Sequence, residues 1–209
     1  MEIPIGLRKP DKCGYYGKHL LFHASRKNRR QEICNSVLES DYCVLLEWDP
    51  LVISYASQPG ELEVTVNGRL RHYRPDFRVD TCNSMYFTEV KYDFETLSPW
   101  SRAKLLAAQQ VLAELGYGML YADNKSIRCG WRLQNLKFLY FHSFNVSAEE
   151  SVACQRWLRS FTYPLTLREL IKVDGPVRER AIYRAVFDRQ LLVNLSERIT
   201  LNSLVEKKS

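Results

Sequence analysis

Asp76 and Glu89 stand thirteen positions apart, and Lys91 follows two after the glutamate. Tyr73-Arg74-Pro75-Asp76-Phe77 and Phe87-Thr88-Glu89-Val90-Lys91 read as two extended stretches joined across a polar turn at Thr81-Cys82-Asn83-Ser84. Side chains alternate along a strand, so Phe87, Glu89 and Lys91 share one face. Pro75 fixes its own φ and lacks an N–H, which suits a strand end where Asp76 can turn toward Glu89. Two carboxylates about 4 Å apart repel by about 4 kcal/mol at an effective dielectric near 20, and a divalent cation relieves that cost. Oxygen ligands without His or Cys favour magnesium or manganese over zinc. Such an ion activates water and neutralises a leaving oxygen, while an ammonium beside it stabilises a crowded phosphate or orients the water. The chemistry these residues point to is phosphodiester hydrolysis.

Glu-x-Lys by itself is a weak pattern. It recurs at Glu206-Lys207-Lys208, in a polar tail with no Pro-Asp upstream, and the tripeptide alone reads better as an exposed ion-paired edge. The upstream Pro-Asp, the strand-like character of both halves and the apolar neighbours set the first copy apart.

With that context, the Tyr-x-Pro-Asp-Phe and Glu-Val-Lys pair resembles the PD-(D/E)xK, restriction-endonuclease-like superfamily. Val37-Leu38-Glu39-Ser40-Asp41, Leu45-Leu46-Glu47-Trp48-Asp49-Pro50, Val52 and Gln58-Pro59 narrow the resemblance to TnsA, the endonuclease subunit of heteromeric transposases. It covers roughly Ser25 to Tyr121. The resemblance implies an α/β fold, a restriction-endonuclease-like core with a central mixed sheet. It implies that Glu39 is the acidic residue borne on a helix and, with Asp76 and Glu89, a ligand of the metal, Asp76 the central ligand and Lys91 the catalytic lysine. Glu89 takes a ligand position where some relatives carry glutamine. Periodicity alone does not select Glu39. The resemblance further implies one or two Mg2+ (or Mn2+) ions and hydrolysis of the non-transferred strand at the 5′ ends of a transposon during cut-and-paste transposition. The partners it implies are the double-stranded DNA of the transposon ends, a TnsB transposase subunit and an AAA+ regulator, TnsC. Some transposons of this type are directed by CRISPR effector complexes. A free-standing PD-(D/E)xK restriction or repair nuclease, and a non-catalytic DNA- or protein-binding adaptor, are the competing readings.

At 209 residues and 45 % hydrophobic, the chain can bury one good core and a small second unit. No apolar run approaches the ~18 residues of a membrane span, and no signal-like stretch opens the sequence, so a prokaryotic cytoplasmic protein is expected. Six scattered cysteines without zinc-type spacing read as reduced thiols. The first thirty residues hold eight bases against two acids, and that surplus of six equals the whole net charge of +6. Arg26, Lys27, Arg29 and Arg30, with the bases before them, are candidate nucleic-acid contacts.

Three segments are expected: a basic arm over 1–28, the nuclease domain over 29–144 and a winged-helix-like C-terminal domain over 145–209. A helix is predicted from Arg29 to Glu47, then strands at Val52–Ser57 and Glu61–Val66, an Asn67-Gly68 hairpin turn, and Leu70–Arg74. Ser98-Pro99 opens a helix with Leu105, Leu112 and Leu115 on its apolar side, and Gly116 stops it before a strand at Tyr117–Ala122. That strand is expected to lie parallel to Met85–Lys91. Further on, Ser147 and Thr166 open capping boxes, and Gly175-Pro176 leads into a third helix bearing Arg178, Arg180 and Arg184. Leu191–Leu195 and Ile199–Leu204 read as a closing hairpin. Arg180 and Arg184, one turn apart, suit phosphates, but docking to another protein is the favoured role of the module.

Overall fold

In the computed structural model, which describes residues 20–173 and 177–208, the chain divides into two units, Met1–Ile127 and Arg128–Ser209. The first is mixed α/β with a central mixed sheet. Its elements run β1 (Leu21–Ser25), β2 (Arg30–Cys34), α1 (Val37–Trp48), β3 (Val52–Ser57), β4 (Leu62–Val66), β5 (Arg69–Tyr73), β6 (Phe77–Thr81), β7 (Met85–Lys91), α2 (Pro99–Glu114), β8 (Gly118–Asp123) and α3 (Asn124–Ile127). The central sheet has the order β3-β6-β7-β8. Its first two pairings are antiparallel and β7 with β8 is parallel, as the strand-helix-strand reading expects. β1 with β2 and β4 with β5 form separate two-stranded ribbons.

Each face of the central sheet is covered by a helix. Tyr42 of α1 packs on Phe77, ring centroids 5.4 Å apart, and its hydroxyl shares a 3.3 Å hydrogen bond with Thr88. Phe87, which alternates to the other face, is buried with Leu105, Ala108 and Leu112 of α2 and with Leu62, Val64 and Val66 of β4. Burying side chains of this size contributes about 1.5–3 kcal/mol each, which holds α2 and the β4–β5 ribbon to the sheet. The start of α2 is set locally: Ser98 Oγ accepts the Ser101 N–H at 3.1 Å and Pro99 follows as the first helical residue. Gly116, at φ 84°, lets the chain turn into β8.

The expected helix from Arg29 to Glu47 is only partly present. Arg29 has φ 53°, a left-handed conformation no helix tolerates, and it closes a hairpin in which Leu21 pairs with Cys34 and Ser25 with Arg30. The helix begins at Val37, where Ser36 caps it by accepting the Glu39 N–H at 3.1 Å. Buried polar side chains hold the ribbon in place. Glu47 accepts from Ser25 Oγ at 2.5 Å and Tyr55 OH at 2.8 Å, and Glu32 accepts from Asn28 Nδ2 at 2.8 Å and the Ser57 N–H at 3.1 Å.

The second unit comprises α4 (Arg132–His142), α5 (Ala148–Leu158), β9 (Leu165–Thr166), α6 (Leu167–Lys172), α7 (Glu179–Phe187), β10 (Leu191–Val193) and β11 (Leu204–Lys207), with sheet order β10-β11-β9. The contacts of the chain divide at residue 128. Helix α4 belongs here because Tyr140 packs on Phe187 (5.2 Å) and Phe138 on Tyr183 (5.1 Å). Asn135 also pins the loop after β10, donating to the Leu195 and Glu197 carbonyls and accepting the Ile199 N–H at 3.0 Å. Thr166 and Glu169 form the expected capping box. Ser147 caps α5 in one direction only, because the Glu150 carboxylate is drawn to Arg178 instead. The second hairpin strand starts at Leu204 rather than Ile199. The bases before Leu20 and the Gly175-Pro176 turn lie outside the described residues.

Candidate active site

Register decides what the two acidic residues do. Phe77 pairs with Thr88 across β6 and β7, so Asp76, one residue before the strand, comes level with Glu89. The Gln58 N–H donates to the Asp76 carbonyl at 2.7 Å and holds the Pro-Asp segment against the end of β3. Asp76 Oδ2 then accepts the Val90 N–H at 2.8 Å and the Lys91 ammonium at 3.2 Å. The same Nζ lies 2.6 Å from Glu89 Oε1 and donates to the Val90 carbonyl at 3.1 Å. Three oxygens, two carboxylate and one backbone, thus surround a single cation. Tyr73 OH donates to the other Glu89 oxygen, Oε2, fixing the carboxylate from behind.

Burial and like charge set the electrostatics. Glu89 is 4 % exposed. Its pKa is raised above the ordinary glutamate value, first by burial and then by the Asp76 charge, with Lys91 and Tyr73 pulling it back in part. Lys91 is pushed down by burial, but the carboxylates of Asp76 and Glu89 outweigh that and raise it, so the amine stays charged. Tyr73 is held protonated by burial and by Glu89 beside it. A hydroxyl so firmly protonated can only donate to Glu89.

Glu39 sits apart from this cage. It is the third residue of α1, and its carboxylate accepts the Asn35 N–H at 2.8 Å and the Ser36 hydroxyl at 3.0 Å. Its pKa is raised by burial and then by Asp76, with the Asn35 and Ser36 hydrogen bonds and Lys91 opposing, so it lies within electrostatic reach of the cluster without being one of the oxygens around Lys91. Among the described residues no three His, Cys, Asp or Glu side chains gather closely enough to hold a metal ion. Asp76 and Glu89, with the Val90 carbonyl between them, are the oxygens that would face one, and Glu39 stands nearest to them at the start of α1. Hard oxygens around a point already taken by positive charge fit magnesium or manganese.

The cluster lines a cavity of about 560 Å³ whose other walls include Asn35, Gln58, and Trp100 and Lys104 of α2. Sequence reasoning missed four of its residues. Gln58, which the sequence leaves open between a turn beside Pro59 and a contact to the metal shell, takes φ 47°, and its buried side chain lines the cavity. Tyr73 carried a signal, three residues before Asp76 at the end of a strand. Trp100 and Lys104, four apart, lie on one helix face, but only the packing of α2 shows where that face points.

The basic candidates fall elsewhere. Lys27 donates to the Asp49 and Val52 carbonyls, the latter at 2.6 Å, and Arg30 pairs with Glu32 at 2.7 Å. Both charges are thereby used to hold the hairpin. Arg26 is half-buried and Arg29 is exposed at the hairpin turn. In the second unit Arg184 pairs with Asp188 at 2.5 Å, and Arg180 lines a small cavity with Phe138, His142 and Tyr183.

No protein-family model and no curated protein matches this sequence. The case for function therefore rests on the geometry. No helix among the described residues is long and apolar enough to cross a membrane.

Proposed function

We propose that this chain is a metal-dependent DNA endonuclease, the TnsA-type subunit of a TnsA/TnsB transposase, which hydrolyses the non-transferred strand at the 5′ ends of the transposon. The observation that carries this reading is the cage itself: the Lys91 ammonium within 3.2 Å of Asp76, Glu89 and the Val90 carbonyl. Supporting it is the order α1-β3-β6-β7-α2-β8, an antiparallel three-strand meander followed by a helical crossover to a parallel strand, which is the layout of a restriction-endonuclease-like core. In the second unit, the order α5-β9-α6-α7-β10-β11 supports a winged helix. Its arginines at 178 and 184 are paired with Glu150 and Asp188, which favours docking to a protein such as TnsB or the AAA+ regulator TnsC over reading of DNA.

In this mechanism Asp76 and Glu89 present hard oxygens at the sheet end, and the Val90 carbonyl completes that side. A bound divalent cation supplies a polarised water and neutralises charge on the leaving oxygen. Lys91, which a bound ion would displace from among these oxygens, would then set its positive charge against a non-bridging phosphate oxygen. Tyr73 keeps Glu89 from rotating out of line. Glu39 deepens the negative potential at the edge of the cluster.

The test is a strand-nicking assay on DNA carrying transposon ends, with magnesium, in the presence and absence of the cognate transposase. Nicks at the 5′ ends that require both the transposase and an intact Asp76 support the proposal. Nicking of any DNA by the chain alone points to a free-standing nuclease, and no Asp76-dependent nicking under either condition removes the enzymatic reading.

A further inference from the structure

Trp100 and Lys104 enter the cavity from the first two turns of α2 and take no part in the cage. The Lys104 ammonium lies 5.4 Å from the Trp100 ring centroid and 5.8 Å from that of Tyr73. Among the described residues no carboxylate pairs with it. That distinguishes it from the other cations of the cavity wall: Lys91 is shared by Asp76 and Glu89, and Arg74 pairs with Glu61. Two aromatic faces hold the Lys104 amine in position without neutralising it. Trp100 itself is 49 % exposed, so part of its indole ring is open to the cavity. A half-buried cation lacking a counter-charge, next to an open indole face, in a cavity of about 560 Å³, fits an anionic ligand with a flat, stackable part.

We propose that Lys104 and Trp100 form a strand clamp, in which Lys104 binds the phosphate next to the scissile one and Trp100 packs on the nucleotide attached to it. This rests on the nuclease reading and adds to it the part of the cavity that positions the substrate strand. Chemistry and positioning are then divided between two elements. β7 carries the reacting side and α2 carries the grip. Lys104 acts uniformly on substrate and transition state, so it governs KM rather than kcat.

The experiment measures binding and turnover separately. Binding of a fluorescein-labelled duplex is followed by anisotropy in EDTA, which stops cleavage, over a series of salt concentrations. Lys104→Ala is expected to weaken binding about tenfold, the loss of one charged hydrogen bond. It should also lower the slope of log K against log salt by about one, because one phosphate contact is gone. Lys104→Arg should restore both, and Trp100→Ala should weaken binding while leaving the slope unchanged. With magnesium, Lys104→Ala should raise KM with little change in kcat. If the parent cleaves but Lys104→Ala binds with unaltered affinity and slope, the clamp is wrong and the catalytic assignment stands. If instead the parent shows the salt-slope difference from Lys104→Ala but no cleavage that depends on Asp76, Lys104 contacts nucleic acid, but the nuclease reading falls and the clamp on a scissile strand falls with it.

Discussion

Asparagine at position 76 keeps the shape of the side chain and an oxygen for the Val90 N–H, which Asp76 Oδ2 accepts at 2.8 Å, but it removes the charge. The loss on one side is the attraction to Lys91, 3.2 Å away, at most about 5 kcal/mol at an effective dielectric of 20. Water reaching the 35 % exposed lysine reduces that figure. The gain on the other side is relief of repulsion with Glu89 and Glu39, both of whose pKa values Asp76 raises. One carboxylate pair at about 4 Å repels by about 4 kcal/mol on the same scale, comparable with the attraction lost. The opposing terms nearly cancel, so Asp76→Asn should shift thermal unfolding by no more than about 5 °C. Cleavage is a different matter, because a hard ligand at the reacting phosphate is lost. An effect of about 4 kcal/mol on the barrier is about a thousandfold in rate. Both readouts come from one preparation, unfolding by calorimetry and cleavage by gel assay of end-labelled DNA. Cleavage within about tenfold of the parent, or collapse of the fold, would refute the reasoning.

Lys91→Ala should lower kcat by about a hundredfold or more, while calorimetric titration still detects magnesium binding; loss of binding together with turnover would make Lys91 structural. Glu89 has a raised pKa, so kcat/KM should fall with decreasing pH at a midpoint above the 4.5 of an ordinary glutamate, and a midpoint at or below that value contradicts the assignment. The same shift fixes a stability sign: the folded state holds the proton more tightly, so this contribution is present at low pH and is lost as pH rises through the folded pKa. Glu89→Gln should accordingly raise the unfolding temperature at neutral pH, with the difference from the parent shrinking in acid, as scanning calorimetry can check. Tyr73→Phe removes a hydrogen bond that lowers the Glu89 pKa, so its pH–rate profile should move to higher pH with little change in unfolding temperature. An unmoved profile would leave Tyr73 with a packing role only.

The cage was legible because it obeys the shortest period in protein structure. Glu89 and Lys91 are two apart on a strand, and a turn of four residues returns the chain so that Asp76 meets them. Helix α2 was legible from its ends, since Ser98-Pro99 and Gly116 act through local geometry alone. The β1–β2 ribbon was not. Ile33, Val37 and Val44 fall near a helical spacing, and the alternation in Arg30–Cys34 is masked because the buried residue at its centre is a glutamate, Glu32, satisfied by Asn28 and Arg30 of the same hairpin and by Ser57 of β3, 25 residues away. A buried carboxylate looks like a surface residue until its partners are known. The same holds for Lys27, whose charge caps two backbone carbonyls. The grouping of α4 with the later helices was hard to read for a related reason: its aromatic residues Phe138 and Tyr140 meet Tyr183 and Phe187, some forty-five positions later. Glu39 was selected by resemblance, and the structure places it at a helix start, hydrogen-bonded to Asn35 and Ser36.

The central claim is that Asp76, Glu89 and the Val90 carbonyl share one divalent ion. A crystal of the protein soaked in manganese, with anomalous diffraction measured at the metal edge, tests it without reliance on activity. The expected result is a single strong peak about 2.1–2.2 Å from one oxygen of each of those three groups, absent in Asp76→Asn. A peak bound elsewhere, or a Lys91 ammonium that keeps its place among the same oxygens at saturating metal, would contradict it.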